Sequence, residues 1–399
     1  MVEKVFISLK SRNYRYYFFG QGVSLIGSWM QNVALSWLVY RLTDSVFLLG
    51  LIGFTTQIPT FILSPFTGVY TDKHDKLRIM IGAQIMFMIQ AIALAVLTLT
   101  DMAQVWHIVA LSLLFGIISA FDAPARQSLV VDLIDEPDHL SNAIALNSAI
   151  FNAARLVGPA IAGVTIAAVG EGICFFLNAA SFIAVIYALL QVKIEQKKRH
   201  SSDEPFLKSF MDGLKYTFAN KVIRTLIILL AILSLAGFPF IVLLPAYAKE
   251  VLSGGAETLG YLMSSLGAGA LAGALFMASR KPDTKFVRLI GVNTIILGTF
   301  IVLASLSDSF YASSAVLFVA GVSMILALSS VNTLLQTSTN EQMRGRVMSF
   351  YAMALMGMLP IGNLIIGTLA EFTGISLSLT VGGIVTLSAG IWFWSKKLN

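Results

Sequence analysis

Twelve apolar runs, each near the length a helix needs to cross a bilayer, leave this chain few folds to choose from. They fall at 15–40, 46–70, 78–99, 105–131, 142–169, 172–192, 222–248, 257–279, 287–306, 310–335, 345–371 and 375–395. A spanning helix takes about 20 apolar residues. Of the 399 residues, 57% are apolar and 12% charged, against roughly 25% charged in soluble domains. A soluble protein of this length keeps too much surface to hide that much apolar side chain. The expected fold is an all-α polytopic membrane protein, with twelve transmembrane helices in two six-helix bundles.

Charge is confined to loops, and one loop dominates. The stretch 193–224 carries Lys193, Lys197, Lys198, Arg199, Lys208, Lys215, Lys221 and Arg224. It divides the chain into an expected N-terminal bundle over 1–192, a linker over 193–221 and a C-terminal bundle over 222–399. Within the linker, Phe206, Phe210, Leu214 and Phe218 recur every four residues with lysines between them. That reads as an amphipathic helix on the membrane surface; a polar linker helix without lipid contact is the alternative.

The remaining basic residues set the orientation. Lys4, Lys10, Arg12 and Arg15 open the chain, and Lys73, Lys76 and Arg78 follow the second run. Arg280, Lys281, Lys285 and Arg288 follow the eighth, Arg344 and Arg346 precede the eleventh, and Lys396 and Lys397 end the chain. The opposite loops hold Arg41 and Lys249 among the acids Asp44, Asp101, Glu171, Glu250, Glu257, Asp308 and Glu371. The positive-inside rule then puts both termini and the linker in the cytosol. The first run is too long for a signal peptide and lacks a cleavage site, so it reads as a retained span.

Composition also excludes chemistries. The net charge of +6 sits in short loops rather than a stripe, which argues against nucleic acid. Cys174 is the only cysteine, so neither an intrachain disulfide nor a cysteine metal cluster is expected. His74, His107, His139 and His200 lack ligand-like spacing. No phosphate-binding loop of the form G-x-x-x-x-G-K-[ST] occurs, so ATP is not the direct energy source. No enzyme activity, cofactor or metal is expected.

The two halves resemble each other. Gly158, Gly163 and Gly170 share their spacing with Gly362, Gly367 and Gly374, at a constant shift of 204 residues. That reads as a parallel duplication.

Ionisable residues inside the runs are the functional candidates, because charge at such depth is costly and faces a wet cavity or a partner. Asp122 and Arg126 lie four apart, on one face of a helix that Pro124 bends. Asp122 is the leading proton carrier; a fixed ion pair is the alternative. Arg155 stands about halfway through its run, with no acid in reach on its own helix. It needs a carboxylate, carbonyls, water or an anionic substrate. Trp29, Gln31, Asn32, Phe238, Asn332, Gln336, Tyr351 and Asn363 are polar or aromatic candidates for a substrate cavity. Helix–helix contact is the plainer role for each. The segment Phe238-Pro239-Phe240 is expected to break its span.

The run Gly68-Val-Tyr-Thr-Asp72-Lys73-His-Asp75-Lys76-Leu-Arg78 resembles the loop signature of the major facilitator superfamily. The resemblance implies a cytosolic gate of Gly68, Asp72, Lys73, Lys76 and Arg78. Gly68 would admit close helix approach, and Asp72 would pair with basic groups across the halves. Asp75 stands where the family usually has glycine. A basic loop that only sets topology is the alternative. Arg155 to Gly163 resembles the superfamily's antiporter-associated Gly-Pro motif, through Gly158, Pro159 and Gly163, with Ala162-Gly163 in place of its closing glycine pair. LIGSWMQNVALSWLVYRLT, FDAPARQS, LSNAIALNSAIFNAARLVGPAIAG and RGRVMSFY are similar to the enterobactin-exporter and macrolide-efflux branch.

That branch implies a monomeric secondary transporter of a bacterial inner membrane. It would work by alternating access and export an amphipathic small molecule, a drug or siderophore, in exchange for protons. Uptake of a chelate or nutrient by the same fold is a second reading. A membrane scaffold or sensor without transport is a third, disfavoured by the deep charges.

Overall fold

The computed structural model describes residues 6–194, 206–280 and 285–396, without the side chains of Asp72, Pro137 and residues 206–209. Lys4, Lys197, Lys198, Arg199, His200, Lys281 and Lys397 therefore lie outside the described residues, as does the side chain of Lys208. Among the described residues there is no strand. The long helices are α1 (Arg12–Thr43), α2 (Val46–Lys73), α3 (Lys76–Leu99), α4 (Val105–Asp132), α5 (Leu140–Val169) and α6 (Glu171–Leu190). After the linker helix α7 (Phe206–Ala219) come α8 (Lys221–Val251), α9 (Ala256–Ala278), α10 (Phe286–Ser305), α11 (Phe310–Thr337), α12 (Glu341–Thr373) and α13 (Ile375–Ser395). Among the described residues, eleven helices are long and apolar enough to cross a membrane. The sequence reading expects twelve. The helix α1, 32 residues long, is the one it adds, and its Gln21, Ser24, Ser28, Gln31 and Asn32 lower its hydropathy.

Local chemistry sets the boundaries. Asp75 caps α3: its side chain accepts from the Arg78 backbone N–H at 3.1 Å, satisfying one of the orphan donors of a first turn. This explains an acid where the superfamily signature has glycine. Asn220 starts α8 the same way, accepting from the N–H groups of Val222 and Ile223. In α8 a wide turn over Leu233–Gly237 is followed by a tight one over Pro239–Leu243. Pro239 has no N–H to give, so the expected break at Phe238-Pro239-Phe240 is taken up by helix of altered pitch.

The chain forms two compact units. The first comprises Met1–Leu42, Thr55–Ser201 and Gly255–Gly260, and the second Thr43–Phe54, Ser202–Gly254 and Tyr261–Asn399. In the first, α3 packs against α4 and α6. Phe87 stacks on Phe182 at 5.8 Å, within a buried cluster that includes Tyr14, Tyr17 and Met80. A buried amide chain ties these helices together. Asn178 donates to Gln31 at 2.8 Å and Gln31 to Gln90 at 3.0 Å, while Gln90 donates to the Leu111 carbonyl at 3.3 Å.

In the second unit, α10 packs against α11 and α13, the same pairing pattern as α3. The Tyr247 hydroxyl lies 2.8 Å from the Ala304 and Ser307 carbonyl oxygens and 2.7 Å from Ser313 Oγ. The linker helix α7 docks on protein. Phe210 meets Phe350 at 5.3 Å, Asp212 pairs with Arg346 at 3.5 Å, and Thr217 is buried. The apolar stripe read as a lipid-facing surface is thus partly covered by α12, because Gly213 lets Arg346 and Phe350 come close.

Two glycines that the expected duplication pairs share a backbone conformation. Gly170 and Gly374 end α5 and α12 at φ +84 and +83, a region open to glycine and costly for other residues. Among the described residues, Asp44, Asp101 and Ser253 also have positive φ, at 49, 55 and 50.

Candidate functional site

Three helices of the first unit converge on Asp122. Its side chain, 1% exposed, accepts from Gln84 Nε2 of α3 at 2.7 Å. Arg126, one turn on in α4, closes the pair through Nη2. Tyr17 of α1 is buried beside them and interacts electrostatically with both charges. Pro124 sits between acid and base, inside the helix. Arg126 is divided in its contacts: Nη2 holds Asp122, while the buried Nε finds no partner among the described residues. The chain has thus assembled a neutralised ion pair inside a long apolar helix, where an unpaired charge would cost several kcal/mol.

Arg155 of α5 lies over the Trp29 ring, with Cζ 5.7 Å from its centroid. Trp29 meets Phe151 edge-on at 5.9 Å. Among the described residues, no carboxylate pairs with Arg155. A pocket of about 260 Å³ opens next to both features. Arg126, Gln127, Gln21, Tyr17 and Asn147 supply its polar wall, and Leu25, Val130, Ile144, Ile150 and Phe151 the rest.

The Gly-Pro segment is a packing surface. A Cβ at Gly158 would come within 2.5 Å of Trp29 Cβ, and one at Gly163 within 3.0 Å of Gly260 Cα. A Cβ added at Gly260 would in turn come within 2.6 Å of the Pro159 carbonyl oxygen. Within the second unit, a Cβ added at Gly367 would come within 2.8 Å of Gly50 Cα, a counterpart to the Gly163–Gly260 crossing.

Gate candidates separate into several roles. Lys76 pairs with Asp132 at 2.7 Å, tying the start of α3 to the end of α4. Arg78 pairs with Asp75 at 3.2 Å. Lys73 is exposed, and the side chain of Asp72 lies outside the described residues. Among the described residues, a Cβ at Gly68 would meet nothing within 4 Å, so no close helix approach is seen there.

The cavity candidates are also dispersed. Gln31 belongs to the buried amide chain and Trp29 to the Arg155 stack, and neither lines the pocket. Asn32 is exposed. In the second unit, Gln336 donates to Asn332 at 2.5 Å, and Tyr351 is half-buried. Phe238 is buried at the α8 break, and Asn363 is buried against Gly50 and Gly53. Reading the sequence missed Gln84, Tyr17 and Gln21. The signal for Gln84 was there: Gln84 and Gln90 are polar residues in an otherwise apolar run, and each needs a partner in lipid.

The fold has a solved counterpart. It matches that of a bacterial homologue of the iron transporter ferroportin, with a TM-score of 0.74 and 16% identity over 96% of this chain and 98% of that one. The family model for transmembrane secretion effectors matches residues 4–399. The chain belongs to that family, within the major facilitator superfamily of transporters, and is an integral membrane protein and not an enzyme. It is 29% identical to the staphyloferrin A transporter of Staphylococcus aureus, over 96% of this chain and 97% of that protein. It is 21% identical to macrolide efflux protein A of Streptococcus pyogenes, over 93% of each.

Proposed function

We propose that this transporter works by alternating access and exports an amphipathic small molecule, drug-like or siderophore-like, in exchange for protons. The reading includes twelve spans with α1 as the first, arranged as two six-helix bundles. It also places both termini in the cytosol of a bacterial inner membrane and makes the protein a monomer. Burial of Gln21, Ser24 and Gln31 supports α1 as a span whose polar groups turn inward.

The observation that carries the function is Asp122, a buried carboxylate held by two donors from two helices. Protonation would cancel the charge that holds Arg126 and free the guanidinium. The pair therefore has two arrangements that a proton can bias, as an alternating-access cycle requires. Arg155, held by a ring face rather than an acid, adds positive potential nearby and favours anionic chelators as cargo. The name of macrolide efflux protein A supports export, and that of the staphyloferrin A transporter supports a siderophore-like cargo.

Inside-out vesicles given candidate drugs and chelators in the outside medium test the reading by accumulation in the lumen. Proton-gradient-driven pumping is expected from the wild type and should be lost in Asp122→Asn that still inserts. Unchanged pumping removes Asp122 as carrier. Flux in the opposite sense supports uptake, and no flux with any substrate supports a scaffold or sensor.

A further inference from the structure

We propose that Arg155, with Trp29 and Phe151, forms a cargo-contact site in the first unit and takes a carboxylate carried on an apolar body. This rests on the transporter reading and names a substrate class and the residues that choose it. Helices α1 and α5 run side by side here. Tyr14 donates to the Ala143 carbonyl at 2.8 Å, a Cβ at Gly22 would meet Ile150, and one at Gly158 would meet Trp29. The pocket lies along this seam: Tyr17, Gln21 and Leu25 line it from α1, and Ile144, Asn147 and Phe151 from α5. Both rows repeat at helical spacing. One turn further along each helix come Trp29 and Arg155. The seam therefore ends at a guanidinium lying on a ring.

Arg155 has five N–H donors and no hydrogen-bond or carboxylate partner among the described residues. It is half-buried rather than enclosed, and its nitrogens are not sealed off as Arg126 Nε is. Phe151 beside it is 45% exposed. The Asp122–Arg126 pair, at the Tyr17 end of the seam, is neutral overall, which leaves Arg155 as the uncompensated charge. A ring face offsets about 2 kcal/mol for a desolvated cation, against several for taking that ion out of water. The ring thus positions the guanidinium without satisfying it. Its free edge matches a carboxylate, through two parallel N–H bonds to two oxygens. Leu25, Ile150 and Phe151 then take the apolar body. A cationic head would be repelled, and a neutral one forgoes the charge-assisted bonds.

Three probes of one shape test this on full-length protein in nanodiscs of zwitterionic lipid: phenylbutyrate, phenylbutyramide and phenylbutylamine. Calorimetric binding, after subtraction of empty nanodiscs, should favour the acid over the amide by about tenfold, the ratio that separates charged from neutral hydrogen bonds. The amine should bind most weakly. Arg155→Gln should abolish the preference for the acid and leave the amide unchanged. Arg155→Lys, which keeps the charge and loses the fork, should retain only part of the preference. Trp29→Leu should weaken the acid more than the amide, because the ring that aims the guanidinium is gone. Equal binding of acid and amide, or a preference that survives Arg155→Gln, overturns the site; water alone then meets the guanidinium. Should the Gln variant fail to fold, an undiminished preference in Arg155→Lys overturns it instead. Vesicle flux measured on the same protein separates the two ideas. Transport without binding of any probe overturns the site alone, and ranked binding without flux overturns the transporter reading alone.

Discussion

The Asp122 pair puts a large energy into few atoms. Removing Arg126 (Arg126→Gln) strands a buried carboxylate, a change that costs about 3–5 kcal/mol where the partner stays charged. Adding Asp122→Asn to that variant should recover most of the loss, because two neutral amides can bond each other. Chemical denaturation of the purified single and double variants checks this; an additive double variant would mean the groups do not act as a pair. Gln84→Leu deletes one donor to the same carboxylate, with an expected loss of about 1.5–3 kcal/mol. Asp122, Arg126 and their spacing were readable in the sequence. Tyr17 was not, and Gln84 was readable only as a polar residue in need of a partner, because which helix faces another is set by rotation and packing rather than by spacing along one run.

At the scale of an element, glycines that look alike have opposite roles. Gly68 lies within α2 and faces open space, so Gly68→Ala should stabilise by up to about 1 kcal/mol through helix propensity alone. Gly27 faces Ser181 and Asn178 within 2.5–2.6 Å of an added Cβ, so even alanine there should push α1 off α6 and break the amide chain. The comparison is a pair of denaturation midpoints, one raised and one lowered. The same reasoning covers the linker helix: Gly213→Leu should separate α7 from α12 and speed its proteolysis, leaving the spans intact. The four-residue apolar repeat predicted this helix from sequence. What covers its apolar face was decided by α12, a helix more than 120 residues away in the chain.

Across the whole molecule, the duplication makes paired predictions. Gly170 and Gly374 share one unusual backbone conformation and have no neighbour within 4 Å of a Cβ. Alanine at either should therefore cost a similar amount, about 1–3 kcal/mol, from backbone strain alone; unequal losses would mean the two turns are not equivalent. Gly163→Leu and Gly367→Leu form a second matched pair, since each glycine touches another glycine's backbone. Both should lower the denaturation midpoint far more than Gly68→Leu.

The sequence by itself determined the membrane class and the all-helical fold. Those properties live in composition, run length and period, which act locally and are read without knowing any contact. Only the tertiary structure decided that Gln31 joins a buried amide chain, that Asn363 is buried against Gly50 and Gly53, and that Gln84 of a neighbouring helix donates to Asp122. Each of those depends on which faces of separate helices meet, and that is settled by the packing of the assembled chain.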